Sequence, residues 1–230
     1  MAPSPLDQFD NRLLDGLDFC RLVYSVFEQI RQGPNGVQKL RERQRVEKKL
    51  LEELLPICRY VHANYGPGKY MSIRWMNGSQ TYDAQVETTG AYVDNTGWPA
   101  SSTLEVTGAV HPSEHLMREL LNSGGPVFGL EGIKKVKGQK GTARIVSEPT
   151  SYSNRSYIDT FKLIVLKAIR AKAAKTYPKH TTLIVDCSLN TVYMRDEWED
   201  LVRRVREELP VHDFSEIFMS AGARGFCAVL

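Results

Sequence analysis

The sequence predicts an α/β protein, a mixed β-sheet flanked by helices with two further helices at the N-terminus. Three observations carry this. Two stretches of helical period precede any strand pattern. Three strand-like segments then follow in close succession. Last, an amphipathic segment, residues 156–176, runs into the continuous apolar run Thr181–Cys187. Strands joined by a turn pair antiparallel, whereas a strand reached through a crossover helix pairs parallel, so both kinds of pairing are expected in one sheet.

Residues 6–32 have a helical period marked by Phe9, Leu13, Leu17, Cys20, Tyr24, Phe27 and Ile30. Gly33-Pro34-Asn35-Gly36 stops that helix. Residues 37–63 predict a second, charge-rich helix with Leu40, Val46, Leu50, Leu51, Leu54, Leu55, Cys58 and Val61 on its apolar side. Pro56 is expected to kink it or end it early.

Lys69–Met76 alternates as a strand does. Asn77-Gly78 is a strong hairpin signal, and Gln80–Thr88 is the return strand. Residues 90–100 read as a loop and Ser101–Ala109 as a third strand. His111-Pro112-Ser113-Glu114 opens a helix to about Asn122, with Ser113 as its cap. Residues 123–145, rich in Gly and Lys, predict a loop or a hairpin. The helix over 156–176 carries Phe161, Ile164, Val165, Ala168, Ile169 and Lys172 on successive turns. Thr181–Cys187, apolar on both faces, predicts a strand covered on both sides. A helix over 195–209 and strands at Glu216–Ser220 and Phe226–Leu230 close the chain.

With 230 residues, 42% of them hydrophobic and 25% charged, the composition is that of one globular domain, residues 1–230, and excludes a disordered chain. A helical extension (1–36), a core (37–187) and a C-terminal helix with strands (188–230) divide it. No apolar stretch approaches the roughly 20 residues a bilayer helix needs, so no membrane partner is expected. The first residues lack a basic and an apolar region of the secretory kind, which predicts a cytoplasmic protein. The four cysteines are too widely spaced for CxxC pairs and predict buried, reduced thiols.

The net charge of +3 is unevenly distributed. Residues 132–180 hold twelve Lys/Arg against only Glu148 and Asp159, a block of net +10. Such a block suits a polyanion. Lys134, Lys135, Lys137 and Lys140 in the Gly/Lys-rich stretch, with Lys172 and Lys175 from the following helix, are the candidate nucleic-acid contacts. Lysines of this kind position a phosphate backbone and read few bases.

Two carboxylates stand out, Asp83 at the start of the return strand and Glu105 in the third strand. Leu104 and Val106 flank Glu105, so Glu105 shares the opposite face with Thr103 and Thr107. Neighbouring strands can bring Asp83 and Glu105 together, and two carboxylates at that range need neutralising. A divalent cation such as Mg²⁺ is the usual solution.

The order of helix, hairpin with Asp83, strand with Glu105-Val106-Thr107, crossover helix and apolar strand resembles the core of the PD-(D/E)XK nuclease superfamily, over roughly residues 40–187. The resemblance implies a restriction-endonuclease-like core and a metal-dependent nuclease acting on DNA or RNA with Mg²⁺ or Mn²⁺. Asp83, Glu105 and the backbone carbonyl of Val106 would be the metal ligands. An acidic residue on the preceding helix often joins such sites; Glu47, Glu52 and Glu53 are the candidates. Thr107 stands where that family has Lys. Either Lys172 or Lys175 supplies the cation instead, or metals act alone, or the site is inactive. The last case would leave a nuclease-like fold acting as a nucleic-acid-binding or assembly module. The two N-terminal helices have the apolar surface to dock a protein partner or a second copy.

Overall fold

The computed structural model describes residues 4–137, 143–190, 192, 194–222 and 224–230. The chain builds an α/β fold on a seven-stranded mixed sheet. Its strands are β1 (Leu13–Asp15), β2 (Tyr70–Trp75), β3 (Ala84–Thr89), β4 (Ser101–Ala109), then β7 (Thr181–Cys187), β8 (Glu216–Ala221) and β9 (Phe226–Val229), adjacent in that order. β5 (Ile133–Lys137) and β6 (Ala143–Ser147) form a separate hairpin. The helices are α1 (Gly16–Gln32), α2 (Gly36–Glu42), α3 (Arg45–Lys49), α4 (Leu55–Asn64), α5 (Ala91–Thr96), α6 (Glu114–Asn122), α7 (Asn154–Ala173) and α8 (Arg195–Glu207).

The crossover rule holds. β1 to β4 pair antiparallel, whereas β4 pairs parallel with β7 in the register Thr103↔Thr181 to Ala109↔Cys187, and β7 pairs parallel with β8. One sheet face is covered by α1 and α4, where Phe19, Val23, Ile57 and Val61 join Ile73, Val86, Leu104 and Val106. The other is covered by α7 and α8, where Phe161, Val165 and Leu201 join Leu183, Val185 and Ile217. On that second side β2 and β3 present the polar residues Ser72, Arg74, Gln85 and Glu87. The helical cover stops near β4, and the sheet opens there.

Several expected elements differ. Residues 6–32 are not one helix: Leu13–Asp15 pairs with β2, and α1 begins after it. The Asp15 carboxylate caps α1, accepting from the Leu17 N–H at 2.9 Å and the Asp18 N–H at 3.4 Å. The buried stripe of α1 is Phe19, Cys20, Val23 and Val26, while Leu13, Leu17 and Tyr24 are exposed. Most of the apolar surface assigned to a partner is therefore covered by the sheet.

The second N-terminal helix is broken into α2, α3, a π-helical turn over Leu50–Leu54, and α4. Arg43, left-handed at φ 51°, ends α2. The wide turn closes with the Leu55 N–H donating to the Leu50 carbonyl. It precedes Pro56, which has no N–H to give and takes its place at the start of α4.

Asn77-Gly78 makes no two-residue hairpin. Residues 76–83 connect β2 to β3, and the return strand begins at Ala84 rather than Gln80. Tertiary contacts override the local signal: the Asn77 N–H donates to Asp10 Oδ1 at 2.9 Å, and Lys49 Nζ to Asn77 Oδ1 at 2.5 Å. The expected loop at 90–100 contains α5. Ser113 precedes α6 without a side-chain cap; its N–H donates to His111 Nδ1 at 3.1 Å instead. Cys20, Cys58 and Cys187 are buried, but Cys227 is exposed, because β9 is an edge strand. No helix among the described residues is long and apolar enough to cross a membrane.

Candidate active site

Asp83 lies at the entry to β3, and its backbone is held from both sides. Its N–H donates to the Leu104 carbonyl at 2.8 Å, and its carbonyl accepts from the Met76 N–H at 2.9 Å. Its side chain is aimed across the strand pair, with Oδ2 accepting the Val106 N–H at 2.7 Å. Val106 thus contributes an N–H that orients Asp83, while its side chain belongs to the core on the opposite face.

Glu105 is only 6% exposed, although it sits where the helical cover ends. A buried carboxylate needs charged or hydrogen-bonding partners. Lys172 Nζ meets its Oε1 directly, and the Tyr177 hydroxyl donates to the same oxygen at 3.4 Å. Lys172 is there because it continues the buried stripe of α7, Phe161, Val165 and Ile169, by one more turn. Lys175 lies beyond the end of α7 and is exposed. Of the two lysines weighed, Lys172 is the one brought to Glu105. Tyr177 carries no motif; its place after the Ala173 helix end, just ahead of Pro178, was the only signal of its position.

A third carboxylate joins from the π-helical turn. Glu53 accepts the Trp75 indole N–H at 3.1 Å, and Lys49 stands over the Trp75 ring. Glu52, its neighbour, turns to Arg43 at 3.5 Å, and Glu47 is half-buried on α3. Glu53 is thus the helical acid in the electrostatic range of the pair. Burial pushes its carboxyl up, Lys49 opposes this, and the charges of Glu52 and Glu105 add to the rise.

Asp83 responds most. Burial first, then the Glu105 charge, push its carboxyl from 3.8 to about 7; the Val106 N–H and Lys172 oppose the rise, and Glu53 adds to it. Burial, and then the Glu105 charge, likewise hold the Tyr177 hydroxyl well above its ordinary range. Asp83, Glu105 and Glu53 form one charge field in which Lys172 meets Glu105 and Lys49 lies beside Glu53.

Among the described residues, no group of three or more His, Cys, Asp or Glu side chains is gathered tightly enough to hold a metal ion. The pair Asp83 and Glu105 still fits a hard divalent cation. Both offer carboxylate oxygen, and a cation between them would relieve the part of the Asp83 rise that the Glu105 charge adds to burial. Thr107 is half-buried two residues along the strand, and among the described residues no hydrogen bond links it to either carboxylate.

The expected nucleic-acid lysines divide. Lys135 and Lys137 are exposed on β5, Lys134 pairs with Glu148 at 2.8 Å, and Lys172 is engaged by Glu105. Lys140 lies outside the described residues. The β5–β6 hairpin packs Ile133 and Ile145 on Leu116 and Met117 of α6. No family model, curated protein or solved structure matches this chain.

Proposed function

We propose that the protein is a metal-dependent nuclease, hydrolysing phosphodiester bonds of DNA or RNA on a restriction-endonuclease-like core. One observation carries the reading. Lys172 arrives from the crossover helix at Glu105, beside Asp83, and so supplies from another element the cation that Thr107 does not.

Asp83 and Glu105 would hold Mg²⁺ or Mn²⁺, with Glu53 as their acidic neighbour. A bound divalent cation supplies Lewis acidity to the phosphoryl group and lowers the pKa of water. The chain's own residues do the rest. The Val106 N–H fixes the Asp83 carboxylate. Lys172 pairs with Glu105 and offers a cation to the charge that develops on phosphate oxygens. Tyr177 is a hydroxyl donor at the same oxygen and helps exclude water from it. Hydrolysis forms a bond from water oxygen to phosphorus and breaks the bond from phosphorus to the leaving oxygen, which takes up a proton. Lys135 and Lys137 on the exposed ribbon meet backbone phosphates, so binding weakens steeply with salt.

Cleavage of single- and double-stranded oligonucleotides with Mg²⁺ or Mn²⁺ tests the proposal. Activity that is lost in Asp83→Ala and Lys172→Ala, with both variants folded by circular dichroism, supports it. Intact substrates under every condition, with salt-sensitive binding retained, would leave the non-catalytic nucleic-acid-binding fold.

A further inference from the structure

The carboxyl ends of three parallel strands, β4, β7 and β8, lie side by side. Open α/β sheets commonly bind ligands beyond such ends. A cavity of about 310 Å³ is found there, lined by Arg43, Arg59, Glu114, Asp186 and Ser188, with apolar walls from Leu51, Leu55 and Met117. A second, of about 250 Å³, shares Arg43, Asp186 and Ser188 and adds Glu52 and Arg118.

The lining is balanced in charge. Arg59 Nη2 meets Asp186 Oδ1 at 2.7 Å, and Arg43 reaches Glu52 at 3.5 Å and Glu114 at 3.3 Å. Arg118 reaches Glu114 at 3.5 Å. An added phosphate would face three carboxylates, and an added cation three arginines. Hydrogen bonding, by contrast, is incomplete. Glu114 is only 4% exposed, yet its Oε2 has no partner among the described residues, and neither have the buried Nε–H groups of Arg43 and Arg59. Unmet buried polar groups are costly. Arg43 also holds a left-handed backbone at φ 51°, a conformation found in strained functional segments.

The geometry points to a nucleobase site. The ligand that fits is uncharged, with apolar surface for the walls of Leu51, Leu55 and Met117, and carries a donor for Glu114 beside an acceptor for Arg43. Nucleobase edges have this pattern, and carboxylate and arginine side chains are the groups that pair with them. The site lies on the opposite face of the sheet from the Glu105 side chain, for Asp186 and Gly108 fall on the alternate positions that face α4. Asp186 is in register with Gly108, three residues beyond Glu105 on β4, or about 10 Å along the strand. Glu52 and Glu53, adjacent on the π-helical turn, serve the two places in turn. The base could belong to a free nucleoside or to an unpaired position in a strand.

Titration of the metal-free full chain with adenosine, cytidine, guanosine and uridine, followed by calorimetry, tests this without reference to hydrolysis. The expected result is saturable binding of at least one nucleoside and none of ribose 5-phosphate. Glu114→Gln should weaken it at least about tenfold, and so should Ser188→Leu, which fills the cavity and leaves the ion pairs intact. In the unsubstituted protein the bound nucleoside should shift the Arg43 side-chain N–H resonance. A single strand that competes with the nucleoside, where its duplex does not, assigns the base to nucleic acid; competition by neither assigns it to a free nucleoside. The proposal is overturned if no nucleoside saturates or if ribose 5-phosphate binds equally. It also falls if folded Ser188→Leu binds unchanged, or if the Arg43 resonance stays put.

Discussion

Glu105 and Glu114 are both carboxylates almost wholly withdrawn from water, and their surroundings differ in one respect. Glu114 has two arginines, and together with Arg43, Arg59, Arg118, Glu52 and Asp186 it makes a set that sums to neutrality. Glu105 has one lysine and shares its field with Asp83 and Glu53. The first centre lacks hydrogen-bond partners but not charge. The second sets three carboxylates against Lys172 and Lys49, and the Glu105 charge adds to the burial that pushes the Asp83 carboxyl up to about 7. A surplus of carboxylates asks for a cation, whereas a balanced but unsatisfied lining asks for a neutral polar ligand.

The largest expected effect falls on the acidic centre. Asp83→Ala should lower cleavage on the order of a thousandfold, measured as kcat on a labelled oligonucleotide, with little change in substrate affinity. An unchanged rate would remove the distinction between the two carboxylate centres.

The next concerns stability. Asp83 is raised from 3.8 to about 7 in the fold, so the folded chain keeps a proton that the unfolded chain has lost. That contribution is fully present below the unfolded value and is lost as pH rises through about 7. Metal-free Asp83→Asn should therefore match the unsubstituted protein near pH 4 and exceed it near pH 8 by up to about 4 kcal/mol in urea unfolding. Saturating Mg²⁺ at the higher pH should narrow the gap. A gap that does not vary with pH would contradict the shared charge field.

Arg43→Ala probes the balanced centre. It leaves Glu114 buried with a single arginine and should cost about 3 kcal/mol of unfolding free energy. Lys172→Ala should be milder in stability, because the Tyr177 hydroxyl still donates to Glu105. Its cost appears in catalysis, about a hundredfold, with partial recovery in Lys172→Arg. The smallest effect is electrostatic. Replacing Lys135 and Lys137 together should reduce the slope of log affinity against log salt by about 2 for duplex DNA.

How much of this was legible in the sequence can be judged element by element. Ser101–Ala109 and Thr181–Cys187 occupy the residues that alternation and apolar continuity mark, and their parallel pairing follows from the helix between them. The face shared by Thr103 and Glu105 was likewise legible, since a period of two has one solution. The Thr103 and Thr181 hydroxyls meet across it at 2.7 Å. Local rules failed where a distant partner acts. Asn77-Gly78 is drawn into contacts with Asp10 and Lys49, and Leu13–Asp15 is captured by an open strand edge.

By itself the sequence determined the α/β class, the mixed pairing, the strand that carries Glu105 and the helix that carries Lys172. These depend on periodicity and charge over neighbouring residues. Tertiary structure alone decided which of Glu47, Glu52 and Glu53 joins the centre, because a π-helical turn ahead of Pro56 rotates Glu53 towards Trp75 and Glu52 towards Arg43. It also decided that Lys172, and not Lys175, meets Glu105, because α7 ends between them. Helix phase and helix ends are set by packing against the sheet, and a shift of one residue there changes which charge faces which.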